Sequence, residues 1–296
     1  MNRDPFSYCH PAVNFIFFLG TICLGVAIQH PVYILVSLIC GITYYLLIHG
    51  PDGLKLILGL LPWFMIMTLI NPLFNTQGET LLFFLFGRPY TLEALWYGAD
   101  LSAIFMAMTV WFGCCHAVLT GDKLTALFGN LAPSLSLLVV MVLRMIPNLI
   151  RKGRQITGAR KSIGKGSNEQ SSYMEKVNDA MTILSTLTSW SLEGGVVTGD
   201  SMRSRGYGCG KRTSFQLSLL TNRDCLLILA MIPMLIMVFA ALMCGHTAAV
   251  FTPRPEITPI RGFGFSSLIT YGAYLLIPTV LHIKEAILWH ISRSKI

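Results

Sequence analysis

Charge is scarce in this chain. Asp, Glu, Lys and Arg make up 12% of its 296 residues, about half the share in a soluble globular domain. Acids are the scarcer sign, 14 against 22 Lys and Arg, for a net charge of +8. Apolar residues reach 53% and the mean hydropathy is +0.62. Together these values exclude a disordered chain and an ordinary cytosolic enzyme, and they describe an integral membrane protein. A cysteine framework is missing too. The eight cysteines include no C-x-x-C pair, and Cys23, Cys40, Cys114, Cys115, Cys225 and Cys244 lie within or at the ends of apolar runs, as reduced, small apolar residues do. No cleavable signal is expected at the start: Met1-Asn2-Arg3-Asp4 sets one base beside an acid, and no small-residue cleavage site follows the first apolar run.

Catalytic signatures are absent as well. There is no G-x-x-x-x-G-K-[ST] and no H-E-x-x-H. Gly206-Tyr207-Gly208-Cys209-Gly210-Lys211 is glycine-rich, yet no apolar strand precedes it and no Ser or Thr is correctly placed. It reads as a helix stop followed by a turn. Cys114-Cys115-His116 cannot easily converge on one metal, because adjacent helical residues project in different directions. His10, His30, His49, His246, His282 and His290 fall near the ends of apolar runs, where an amphipathic ring is at home. Asp100 is the only acid expected within a span, at its outer end. Ion-driven carriers normally need more such groups.

What is present is a set of apolar runs. A bilayer core needs about 20 mostly apolar residues in helix. Segments 12–28, 31–48, 54–70, 101–120, 225–244 and 266–283 meet or approach that length. His30-Pro31, Gly50-Pro51-Asp52-Gly53 and Asn71-Pro72 punctuate the first three. Residues 81–86 are apolar but too short to span, and Gly87-Arg88-Pro89 follows, so a hairpin or interfacial stretch is expected there. The fold class is therefore all-α, a polytopic membrane protein of about six transmembrane helices. Its expected divisions are an N-terminal membrane domain over 1–120 with four spans, a cytoplasmic helical domain over 121–223, and a C-terminal membrane domain over 224–296 with two.

Orientation follows from where the bases collect. Residues 121–224 hold fourteen of the twenty-two Lys and Arg. With that block in the cytoplasm and six spans threaded, only Arg88, Arg254 and Arg261 fall outside. Both termini are then cytoplasmic and the protein is multi-pass in the cell membrane. Residues 131–150 are apolar, but Arg144 and Pro147 interrupt them. As a span they would expose 151–165 on the wrong side, so they are expected to lie against the membrane face or under the bundle.

Two long helices are expected in the basic block, one from about Pro133 towards Lys161 and bent near Pro147, the other from Tyr173 to Arg205. On the second, Met174, Val177, Met181 and Leu184 recur at helical spacing, Leu187 and Trp190 continue that side, and Glu175, Asp179, Thr182 and Thr186 sit on other faces. The helices end in Ala159-Arg160-Lys161 and Ser204-Arg205-Gly206. An arginine fork at a helix tip suits docking into an acidic or carbonyl-lined groove. Equally, it could satisfy helix C-terminal carbonyls or anionic lipid.

Several stretches resemble the transmembrane coupling subunit of energy-coupling-factor (ECF) vitamin and metal transporters, the T component of the EcfT/CbiQ family. They are Asn71-Pro72-Leu73-Phe74 with Gly78-Glu79-Thr80, Asp122-Lys123 through Leu143-Arg144-Met145-Ile146-Pro147, and Trp190-Ser191-Leu192-Glu193 leading to Asp200-Ser201-Met202-Arg203-Ser204-Arg205-Gly206-Tyr207-Gly208. The family carries two Ala-Arg-Gly motifs. Ala159-Arg160-Lys161 departs from that pattern at its third position and Ser204-Arg205-Gly206 at its first. The resemblance implies a non-catalytic scaffold without cofactor, metal or nucleic acid. It would join two cytosolic ABC-type ATPases, through Ala159, Arg160, Lys161, Ser204, Arg205 and Gly206, to a small substrate-binding membrane subunit (the S component). Met141, Met145, Met174 and Met181 are candidates for the surface under that subunit, since methionine repacks against varied partners. Two other classes remain open. A membrane transferase would need acids such as Glu175, Asp179, Glu193 and Asp200 to hold a metal, but they form no aspartate-rich motif. A channel or secondary carrier is disfavoured by the acid-poor spans.

Overall fold

The computed structural model describes residues 5–75, 78–85, 88–128, 133–166, 172–210, 220–250 and 256–293. Of these, 83% are helical. In chain order the elements are α1 (Pro11–Ala27), α2 (Pro31–His49), α3 (Gly53–Phe74), β1 (Leu81–Leu85), β2 (Arg88–Thr91), α4 (Leu92–Val118), α5 (Gly121–Phe128), α6 (Pro133–Ser162), α7 (Tyr173–Ser204), α8 (Asn222–Met243), β3 (Ala249–Val250), β4 (Glu256–Ile257) and α9 (Phe263–Arg293). They form two compact units, Met1–Leu124 with Ser218–Ile296, and Thr125–Leu217.

Four segments of the first unit are long and apolar enough to cross a membrane: Pro31–Phe74, Leu92–Val118, Asn222–Met243 and Phe263–Leu288. Pro11–Ala27 is apolar but shorter. The chain is thus an all-α, membrane-embedded protein. The first of these segments is a hairpin. Gly50, at φ +61°, turns the chain between α2 and α3, a conformation that only glycine adopts without strain. Contacts along α4 show that the arms are antiparallel. Gly98 and Ser102 meet Asn71 and Thr68 near the end of α3, whereas Val110, Trp111 and Gly113 meet Gly41 and Tyr45 in the second half of α2.

Small residues let these helices approach. A Cβ at Gly41 would lie 3.1 Å from the Trp111 indole nitrogen, and one at Gly20 would lie 2.5 Å from the Tyr274 hydroxyl. Fully buried Trp111 donates to Ser37 Oγ at 3.0 Å. Phe6, Phe17 and Phe18 pack edge to face, and Phe17 also meets Trp111 and Tyr274. Two of the buried tyrosines satisfy their hydroxyls on distant backbone: Tyr33 donates to Gly264 O and Tyr274 to Phe17 O, both at 2.9 Å.

Two helices start in the same way. His10-Pro11 and His30-Pro31 place proline at the first helical position, where its missing N–H costs nothing. In each, the imidazole Nδ1 accepts the N–H two residues on, from Ala12 at 3.1 Å and Val32 at 3.3 Å. An accepting Nδ1 assigns the proton to Nε2, and His30 Nε2 lies 3.2 Å from Thr258 O. These histidines are N-caps.

The N-terminal segment is anchored by Phe6, which is fully buried. It holds the chain at two distant places within the first unit. Lys123 Nζ donates to Ser7 O, Ser7 Oγ and Val118 O, so its charge caps the C-terminus of α4. Asp224 accepts the His10 N–H at 3.3 Å and the Thr221 N–H at 3.1 Å. One carboxylate thereby serves the N-termini of α1 and α8. Between α3 and α4, strands β1 and β2 pair antiparallel with a bulge between Leu81 and Phe83, in keeping with the hairpin expected there.

Candidate functional site

The second unit contains the two long helices. α6 runs through Pro147 to Ser162, and α7 starts after Ser172, whose N–H donates to Glu175 Oε2 at 3.1 Å in a capping box. The pair is antiparallel. Lys152 Nζ lies 5.2 Å from the centroid of the Trp190 ring, Gly153 faces Leu187, and Arg160 Nε donates to Asp179 Oδ1 at 2.6 Å. Partner numbers on α7 fall as those on α6 rise.

These contacts divide the apolar side expected of α7. Leu187 and Trp190 turn towards α6 with Asp179, which is buried. Met174, Val177, Met181 and Leu184 form a separate exposed row, with Met174 66% and Met181 62% exposed. Met141 and Met145, on α6, are half-buried. Asp179, placed by its spacing on another face, is thus one of the residues that join α7 to α6.

Both long helices stop by the same device. At α6, Gly164 (φ +72°) donates to Lys161 O and Lys165 to Arg160 O. At α7, Gly206 (φ +76°) donates to Arg203 O and Tyr207 to Met202 O. Each is a Schellman motif, whose left-handed position favours glycine. Gly164 is therefore the counterpart of Gly206, and the two arginines occupy different positions. Arg160 lies two residues inside the end of α6, half-buried and held by Asp179 and by Lys165 O at 3.3 Å. Arg205 is the C-cap of α7 and is exposed. Along α7 the Asp179 and Arg205 positions are about 39 Å apart, at 1.5 Å per residue.

The remaining expected site residues are solvent-facing. Ala159, Lys161, Ser204 and Gly206 are exposed, and Ser204 Oγ donates back to Asp200 O at 2.8 Å. The glycine-rich stretch after α7 begins as the helix stop just described and continues into a turn, with Cys209 N donating to Gly206 O. Lys211 lies outside the described residues. Among the described residues no three His, Cys, Asp or Glu side chains gather as a metal site.

Two acids that spacing alone did not single out are buried in the first unit. Glu93, in the first turn of α4, accepts from Thr80 N and, at 2.6 Å, from Thr80 Oγ1. Asp224 is the second; its signal, a Thr three residues ahead of an acid before an apolar run, is legible as a capping box. Asp100 is half-buried in α4. No family model matches the chain, and no curated protein matches it.

Proposed function

We propose that this protein is the coupling subunit of an ECF-type importer, a non-catalytic membrane scaffold that transmits the ATP-driven motion of two cytosolic ABC-type ATPases to a small substrate-binding membrane subunit, for uptake of a vitamin or a metal ion. The observation that carries this reading is the pair α6–α7: two helices of 30 and 32 residues, crossed antiparallel in their own unit, each with basic residues in its last turn and a glycine stop. A receptor for two moving partners needs two stiff levers with separate tips, and the Arg160 region and Arg205 supply tips far apart along the unit.

In this reading the protein has six spans. α2 and α3 cross separately, α1, α4, α8 and α9 supply the others, and both termini and the helical unit face the cytoplasm, as the distribution of basic residues favours. ATP closes the ATPases, their approach displaces the docked tips, and the helices carry the displacement to the substrate subunit, whose candidate contacts are the exposed row Met174, Val177, Met181 and Leu184 beside the Arg160 end and Met141 and Met145 towards the other end. The coupling is a shift between two packed arrangements driven by ATP binding elsewhere.

Affinity purification of the tagged chain from membranes tests the proposal. Two ATPase subunits and a small membrane protein should come with it, and ATPase activity should depend on the added subunits. A chain that purifies alone and turns over a substrate by itself overturns it.

A further inference from the structure

From the hairpin β1–β2 we infer a second kind of interaction surface: an anchor seated at the headgroup level of the bilayer, with lipid as its partner. The hairpin is held firmly at its base. Thr80 is clasped by Glu93 of α4, and the Tyr90 hydroxyl donates to Leu69 O of α3 at 3.0 Å. Beyond this base it exposes Leu81, Leu82, Phe83 and Phe84, with Phe84 68% exposed. Four consecutive large apolar side chains on a braced element form a presented surface, larger than the scattered apolar residues of an ordinary loop.

Three features choose lipid as the occupant. First, the hairpin joins two segments apolar enough to cross the membrane, the one ending at Phe74 and the one starting at Leu92, so it lies at the level where they leave the bilayer. Near the ends of those helices Leu69, Phe74 and Trp96 are exposed as well. Second, both faces of β1 are apolar. Phe83 stacks on Tyr90 with ring centroids 4.7 Å apart, and its neighbour Phe84 points to the opposite face. A protein docked on one face would leave the other in water, whereas an interface of acyl chains and headgroups surrounds both. Third, a two-stranded sheet has two open edges. Unpaired backbone groups are not tolerated in hydrocarbon, which excludes deep insertion and sets the hairpin among the glycerol and headgroup atoms, where aromatic side chains concentrate.

The test uses the full chain in phosphatidylcholine nanodiscs, with one cysteine in a cysteine-free background carrying an environment-sensitive dye. Phe84→Cys is the main position. Leu82→Cys is the second, and the same dye coupled to free cysteine in buffer is the water reference. At Phe84 and Leu82 the emission should shift to the blue of that reference. Phospholipid nitroxides near the headgroup should quench it more than nitroxides deep in the acyl chain or an aqueous nickel chelate. Both hairpin residues are surface-exposed, so neither replacement removes a core contact. Stronger quenching by the aqueous agent, stronger quenching by the deep nitroxide, or shielding that appears only when other membrane proteins are added would each overturn the inference. The measurement needs no ATPase or substrate subunit, so its outcome is independent of the proposed coupling role.

Discussion

Arg160 and Asp179, nineteen residues apart, meet at 2.6 Å on facing sides of α6 and α7, with 22% and 9% of their side chains exposed. Removing one partner of such a pair strands the other, whereas removing both strands neither. Arg160→Ala and Asp179→Ala should each lower the stability of the helical unit by about 1–3 kcal/mol. The double variant should lose no more than the worse single one. Thermal melts of the four chains in detergent measure this cycle, and strict additivity would show that the two residues are not coupled.

The two arginines should fail in different ways. Arg205 is exposed at the tip of α7, so Arg205→Glu should weaken ATPase pull-down by the worth of a charge-assisted contact, about 1.5–3 kcal/mol, and lower the melting temperature only slightly, through the lost cation at the helix C-terminus. Arg160→Glu should lower both, because it sets a second acid against Asp179. Lys211→Glu is the charge control. Arg205→Glu performing no worse than Lys211→Glu in pull-down and uptake would remove the docking role.

Glycines of the two units should respond with opposite sign. A methyl group added at Gly153 meets Leu187 at 3.6 Å, an ordinary contact, so Gly153→Ala should stabilise α6 by about 0.5–1 kcal/mol through helix propensity. One added at Gly98 falls 2.7 Å from Asn71 Cβ and 2.9 Å from the Thr68 carbonyl. Pro72 also deprives that carbonyl of its helical donor. Gly98→Ala should therefore destabilise the bundle by about 1–3 kcal/mol. Chemical denaturation of the two variants compares them directly.

Cys209 is exposed in the helical unit and reports its side of the membrane. With the other seven cysteines replaced, it should resist an impermeant maleimide in intact cells and react after lysis. Labelling from outside would reverse the orientation and overturn the proposed docking of ATPases on this unit.

Helix positions were legible because their signals are local. Pro133 and Ser172-x-x-Glu175 mark where α6 and α7 begin, and Gly164 and Gly206 mark where they stop. The assignment of faces was not local. The row Met174, Val177, Met181 and Leu184 has the spacing of a packed stripe, yet it is exposed, while Asp179 turns inwards. Periodicity reports that a face is apolar; it does not report whether the covering surface belongs to the same chain. The inward acid depends on Arg160 arriving from another helix, and no window around Asp179 contains that information. Lys123 is one basic residue among many in its stretch of sequence for the same reason, since its acceptor Ser7 lies 116 residues away.

The clasp of Ser7 on Lys123 and of His10 on Asp224 brings the chain's exit from the membrane unit and its return to one short stretch of backbone. Whatever hangs between these posts closes its loop at a cost that rises only slowly with length, and the bundle does not rely on that insert to bring its own halves together. The helical unit is thereby a cassette. Its helices can be lengthened, shortened or exchanged for those of another chain without touching the two clasps that close the bundle.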